Sequence, residues 1–262
     1  MKCFLAAALF LIIALMPACA AGKAAAQAES DRRAFAAFTR EFSLKVHSLS
    51  FSLLSGTVAL KGSYQGRVKK ALNECDRFLS EASKSIPLRS QTNLKRLREV
   101  YADLRAIAEE LADMDEMERE NISHHAKNAD KVQELEKSVT HSMKAHGRES
   151  ASGALFVPLE EAMGSLSSAT LLYVRTGREE FRKKAEKARS DVKERLEEWV
   201  KASAGAGIDE KAVKDFQAVV MEFQRSAQDA MDDHDITLER IGRFADTMLL
   251  FDSLVEVYGT RP

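Results

Sequence analysis

From Val213 to Tyr258 apolar residues return at every third and fourth position. The series is Val213, Phe216, Val220, Phe223, Ala227, Ala230, then His234 and Thr237, then Ile241, Phe244, Met248, Phe251, Val255 and Tyr258. This is a heptad seam, and it predicts a long helix laid against long helical neighbours. Only His234 and Thr237 interrupt its apolar character, and they stand side by side near its middle.

The same spacing recurs upstream. A first predicted helix starts near Glu29-Ser30-Asp31 and carries Phe35, Phe38, Phe42, Val46, Leu49 and Leu53. Gly62, Ser63 and Gly66 weaken it, and the stripe resumes as Val68, Ala71, Cys75 and Phe78, so the glycines read as a kink inside one helix. Pro87 is the expected stop. A second helix starts near Ser90 or Thr92, carries Leu94, Leu97, Tyr101, Leu104 and Leu111, and continues less cleanly to Met143, ending at Gly147. After the break GRESASG, Pro158 suits the first turn of a third helix. That helix runs through Leu159, Met163, Leu166, Arg175-Thr176-Gly177, Phe181, Ala185, Ala188, Val192, Leu196 and Trp199. Asp209 is the expected N-cap of the fourth, with Ile208 and Val213 at the two ends of a hydrophobic staple.

Helices of about 50 residues make rods about 75–85 Å long, and short turns make neighbours antiparallel. The expected fold is all-α: an elongated, antiparallel, up-down-up-down four-helix bundle, either single or as two stacked bundles. The domain spans residues 30–258, in hairpin repeats of about 30–147 and 154–258. The repeat rests on RVKKALNECDRFLSEA (Arg67 to Ala82) against FRKKAEKARSDVKERLEEW (Phe181 to Trp199), and REVYADL (Arg98 to Leu104) against VKDFQAV (Val213 to Val219).

Composition agrees. Four Pro, twelve Gly and 30% charged residues suit helices, and 262 residues suffice for a core. A net charge of −1 gives no basic face for nucleic acid. Cys75 is the one cysteine outside the leader and lies on an apolar stripe, where it reads as a small buried hydrophobe.

Residues 1–20 read as an export signal: Lys2, an apolar run from Cys3 to Met16, Pro17, and the cleavage site Ala18-Cys19-Ala20. Two alternatives stand beside cleavage: the run is retained as an inner-membrane anchor, or Cys19 is lipidated. All three place residues 30 onward in the periplasm or outside the cytoplasm. Residues 21–29 form a flexible tether.

Register across the last turn sets His234 opposite Arg175, Thr176, Gly177 and Arg178, with Asp229, Asp232, Asp233 and Asp235 beside it. The same reasoning sets Ser55-Gly56-Thr57 opposite His124-His125. A polar layer in a long bundle fixes register. It can also line a concave pocket, and Arg175 and Arg178 present forks that fit a carboxylate. The candidate residues for a small carboxylate or amine ligand are therefore Arg175, Thr176, Arg178, His234 and Thr237, with Lys45, His47 and Lys61 as weaker contributors. No Glu stands three residues before a His, as di-metal bundles require. No nucleophile–base spacing appears, so no metal, cofactor or catalytic activity is expected.

The run SSATLLYVRTGREEFRKKAEKARSDVKERLEEW (Ser167 to Trp199) resembles the extracytoplasmic helical sensor domains of bacterial chemoreceptors, and most closely the helical bimodular variety. Those domains carry Leu-Leu-x-Thr-Gly-Asp, then Tyr or Phe, then Ala-x-x-Ala. Here Leu171-Leu172, Thr176-Gly177, Phe181, Ala185 and Ala188 fill these places, with Arg178 where Asp is usual. The resemblance implies two repeated halves, stacked bundles and a small-molecule ligand, often an organic acid, held by Arg and polar side chains. Arg175, Thr176 and Arg178 lie in the matching stretch. The chain stops at Pro262 without a second span or signalling hairpin. The resemblance therefore implies a freestanding sensor-type module, homodimeric along a helical face and working with a membrane receptor or kinase, or else a truncated gene product. The competing expectation is a structural or protein-interaction rod of the cell envelope.

Overall fold

The structure is a computed structural model. It describes residues 2–56, 64–145, 149–206 and 208–260, and side chains within 24–53, 65–141, 156–204 and 208–259. Six helices carry most of them: α1 (Lys2–Gly56), α2 (Tyr64–Ala82), α3 (Gln91–Ala145), α4 (Glu149–Thr176), α5 (Glu179–Ala206) and α6 (Glu210–Thr260). A 3-10 turn, Leu88–Ser90, precedes α3. No strand occurs among the described residues, and the fold is all-α. The leader's side chains, Cys3 and Cys19 included, lie outside the described residues. Among the residues whose side chains are described no helix is long and apolar enough to cross a membrane.

More helices than the expected four occur among the described residues, because α5 runs back along α4 from Gly177 and α2 runs back along α1. Phe156, early in α4, packs against Trp199, late in α5, with ring centroids 5.4 Å apart. The two helices thus lie side by side and antiparallel. The turn is Gly177-Arg178, and Gly177 takes φ +63°, a left-handed conformation that side chains with a Cβ disfavour. Likewise Phe38 in α1 stacks on Phe78 in α2 at 5.6 Å, so the first stripe also folds back on itself. A glycine inside a helical stripe weakens it in either case. Periodicity alone does not separate a kink from a reversal, since the apolar face resumes after both.

Contacts group the chain into two units, Met1–Ala112 with Gly242–Pro262, and Asp113–Ile241. In the first, Phe42 of α1 meets Phe78 of α2, Tyr101 of α3 and Phe251 of α6, at centroid distances of 6.2, 5.3 and 5.7 Å. Four helical segments therefore share one core. Tyr101 donates its hydroxyl proton to Asp76 at 2.9 Å. Cys75 is fully buried beside it, and burial pushes its thiol up to about 11, as for an unreactive core cysteine.

In the second unit the core again draws on four segments: Val132 and Val139 of α3, Leu159 to Tyr173 of α4, Ala185 to Trp199 of α5, and Val213 to Met231 of α6. Trp199 packs on Phe216 at 4.5 Å. The start of α6 is as the sequence predicts. Asp209 Oδ2 accepts from the Ala212 N–H at 3.3 Å, and Ile208 packs on the core that contains Val213. Pro158 sits inside α4 and not in its first turn, because α4 already begins at Glu149. Gly147 lies outside the described residues.

Candidate functional site

The heptad seam of α6 enters the core with its two polar members intact. His234 is 8% exposed and Thr237 is 7% exposed, although neither belongs to an apolar class. Both lie in the second unit, where all four segments send polar groups toward them. His234 Nδ1 donates to Glu118 Oε1 of α3 at 2.7 Å, and only 10% and 15% of the two side chains is exposed. Next to this pair Asn121 of α3 donates to Asp233. Tyr173 of α4 sets its ring edge-on to the His234 ring at 5.2 Å, and its hydroxyl donates to Asp235. Burial, then the Asp235 contact, pushes that hydroxyl up to about 12, so it stays protonated and keeps donating. Arg182 of α5 completes the chain of contacts, its Nη2 2.9 Å from Asp235.

Two nitrogens in this layer are buried without a hydrogen-bond partner: His234 Nε2 and Arg182 Nε, from which Glu186 stands 3.8 Å off. A buried polar atom left unmatched costs roughly 1–3 kcal/mol. The His234 ring cannot turn to relieve this, since Glu118 holds its other nitrogen. The α4–α5 turn lies close by. A Cβ built on Gly177 would stand 3.6 Å from His234 Nε2 and 3.5 Å from both Leu238 methyls.

The residues singled out by register divide into two groups. His234 lies beside Gly177 as the α5–α6 register predicts, and that register is kept by Gln224, which donates to the Arg189 carbonyl at 2.9 Å. Thr237 is buried, but its hydroxyl donates to the Asp233 carbonyl of its own helix at 3.0 Å. Arg175, Thr176 and Arg178 are exposed. Thr176 Oγ1 donates to the Leu172 carbonyl at 2.6 Å, and Arg178 pairs with Glu180 at 3.0 Å. The guanidinium that reaches the layer is that of Arg182. Lys45 and His47 lie in the first unit, over the Phe78 ring at 5.2 Å and 3.5 Å from Asp252 respectively. Lys61 lies outside the described residues.

A second polar layer stands nearby in the same unit. His125 of α3 is 1% exposed, with Nδ1 3.1 Å from Ser226 Oγ of α6 and Nε2 3.3 Å from Ser167 Oγ of α4. Ser226 already donates its proton to the Phe223 carbonyl at 2.8 Å, so it accepts from Nδ1–H, and Nε2 accepts from Ser167. The imidazole is thus satisfied while neutral, and burial holds its pKa below 6.5. The expected facing of His124-His125 to Ser55-Gly56-Thr57 lies outside the residues whose side chains are described; the described partners of His125 are on α6 and α4.

Glu118 and Asn121 escaped the register argument because α3 and α6 are not joined by a turn, and only a turn fixes register from sequence. Among the described residues no cluster of three or more His, Cys, Asp or Glu side chains is arranged to hold a metal. The chain matches no protein-family model, no curated protein and no solved structure.

Proposed function

We propose that this chain is an exported, sensory helical module that binds a small molecule, an organic acid by preference, in the polar layer of its second unit. One observation carries the reading: His234 Nε2 is buried, fixed by Glu118 behind it, and has no partner. A ligand placed between Nε2 and the α4–α5 turn would donate an O–H or N–H to Nε2 and set its carboxylate against Arg182. Arg175, Thr176 and Arg178, carried on or beside that turn, would form the outer contacts. The resemblance of Ser167 to Trp199 to chemoreceptor sensor domains supports the same reading, as does the export-type leader.

A thermal-shift screen of the protein against organic acids and amino acids tests it. A ligand that binds only the folded state stabilises it by mass action, by about 2.7 kcal/mol at a hundredfold excess over Kd, and so raises the melting temperature. His234→Ala and His234→Gln should each abolish the shift, and Arg178→Ala should weaken it. The reading fails if no compound stabilises the protein, or if the shift survives both His234 variants.

A second reading, a protein-interaction rod, draws on apolar side chains that face solvent in the first unit: Leu44, Phe51 and Leu249, the last 67% exposed. Sedimentation velocity over a range of concentrations distinguishes it. Self-association removed by Phe51→Glu favours this reading, and a monomer throughout removes the homodimer.

A further inference from the structure

We infer that the α4–α5 turn and Leu238 form a gate over His234 Nε2, and that the nitrogen meets a ligand only when this gate opens. This rests on the reading of His234 as the ligand contact and adds how that contact is reached.

Three groups stand close to this nitrogen or its ring: Gly177, where an added Cβ would lie 3.6 Å from Nε2, Leu238, whose methyls would lie 3.5 Å from that same Cβ, and Tyr173, whose ring centroid is 5.2 Å from that of the imidazole. They are not equally movable. Tyr173 is 3% exposed and its hydroxyl is tied to Asp235, so it is a fixed wall. Leu238 is 38% exposed and has only apolar contacts to give up. The hydrogen bonds of the turn are local. Gly177 N–H donates to the Tyr173 carbonyl at 2.7 Å, Arg178 N–H to Thr176 Oγ1 at 3.4 Å, and Phe181 N–H to the Arg178 carbonyl at 2.9 Å. Arg178 pairs with its near neighbour Glu180. These bonds shape the turn without tying it to α3 or α6. The ring itself stays put, because Glu118 grips Nδ1. Access therefore comes from moving the cover. Gly177 at φ +63° is the element most easily pushed out of its closed conformation, since any Cβ there strains it.

Diethyl pyrocarbonate reads this directly, because it acylates a free imidazole nitrogen. The full chain is treated, and the modification rate of each histidine is followed by peptide mass mapping. In the unaltered protein His234 should react at least tenfold more slowly than the half-exposed His47 and His124. Leu238→Ala and Gly177→Ala should each accelerate His234 severalfold and leave His125, bonded at both nitrogens, protected. Acceleration of His234 in neither variant overturns the gate. Equal acceleration of His234 and His125 overturns it too, since that reports general loosening. The screen for ligands is a separate measurement. A chain whose His234 is gated but which no compound stabilises keeps the gate and loses the binding function.

Discussion

Glu118 Oε1 accepts from His234 Nδ1 at 2.7 Å, joining α3 to α6 between residues 116 positions apart. Both side chains are largely buried, so each is the other's replacement for water. Removing one partner of such a pair leaves an uncompensated group and costs about 3 kcal/mol or somewhat more. Glu118→Ala and His234→Ala should each lower stability by that order, while the double variant loses clearly less than the sum. Urea unfolding followed by the fluorescence of Trp199, the one tryptophan, reports the second unit selectively. Additive losses would mean that the two residues act independently.

His125 gives the second unit an acid limit. Burial disfavours its charged form and holds its pKa below the ordinary 6.5, with the Phe223 backbone contact opposing. Below about pH 6.5 the unfolded chain binds a proton that the folded chain refuses, so stability falls as pH drops from that point. The urea midpoint read at Trp199 should therefore decline between pH 7 and pH 5. In His125→Leu the decline should be shallower. A slope unchanged by that substitution would assign the acid sensitivity to other groups.

Glu136 of α3 acts with the opposite sign. Burial, and then the hydrogen bond to Glu160 of α4, raise its pKa from 4.5 to about 7. Between those values the folded chain holds a proton that the unfolded chain has lost, so stability declines as pH rises from 4.5 through 7. Glu160→Gln replaces one carboxyl with an amide, whose N–H donates at every pH. It should stabilise the protein at pH 8 and make little difference at pH 4. Equal effects at both values would exclude a shared proton.

The sequence made the all-α fold readable because burial on a helix has a period, and the stripes through Phe42, Leu104, Leu166 and Phe223 all reach the core. The N-cap at Asp209 was readable from its side-chain oxygen and the staple behind it. The reversal at Gly177 was not, since a glycine between two in-phase stripes serves a kink and a turn alike. Within the site, His234 and Thr237 announced themselves as polar breaks in an apolar seam. Glu118 and Arg182 did not, because each sits in a charged stretch where nothing local marks the one side chain that turns inward. The arginines beside the glycine, Arg175 and Arg178, were conspicuous for their sequence context and are solvent-exposed.

Gly177 separates backbone strain from crowding. A Cβ there would meet the Leu238 methyls at 3.5 Å and His234 Nε2 at 3.6 Å, ordinary contacts that require nothing to move. The cost of Gly177→Ala is therefore conformational, about 1–2 kcal/mol for a residue with a Cβ held in the left-handed region. Asn tolerates that region better, because its short polar side chain bonds to nearby backbone. A β-branched residue tolerates it worst. Stability measured at Trp199 should fall in the order Gly, Asn, Ala, Val. If crowding governed instead, the bulkier Asn would be worse than Ala, and that order in the urea midpoints would refute the reversal as described.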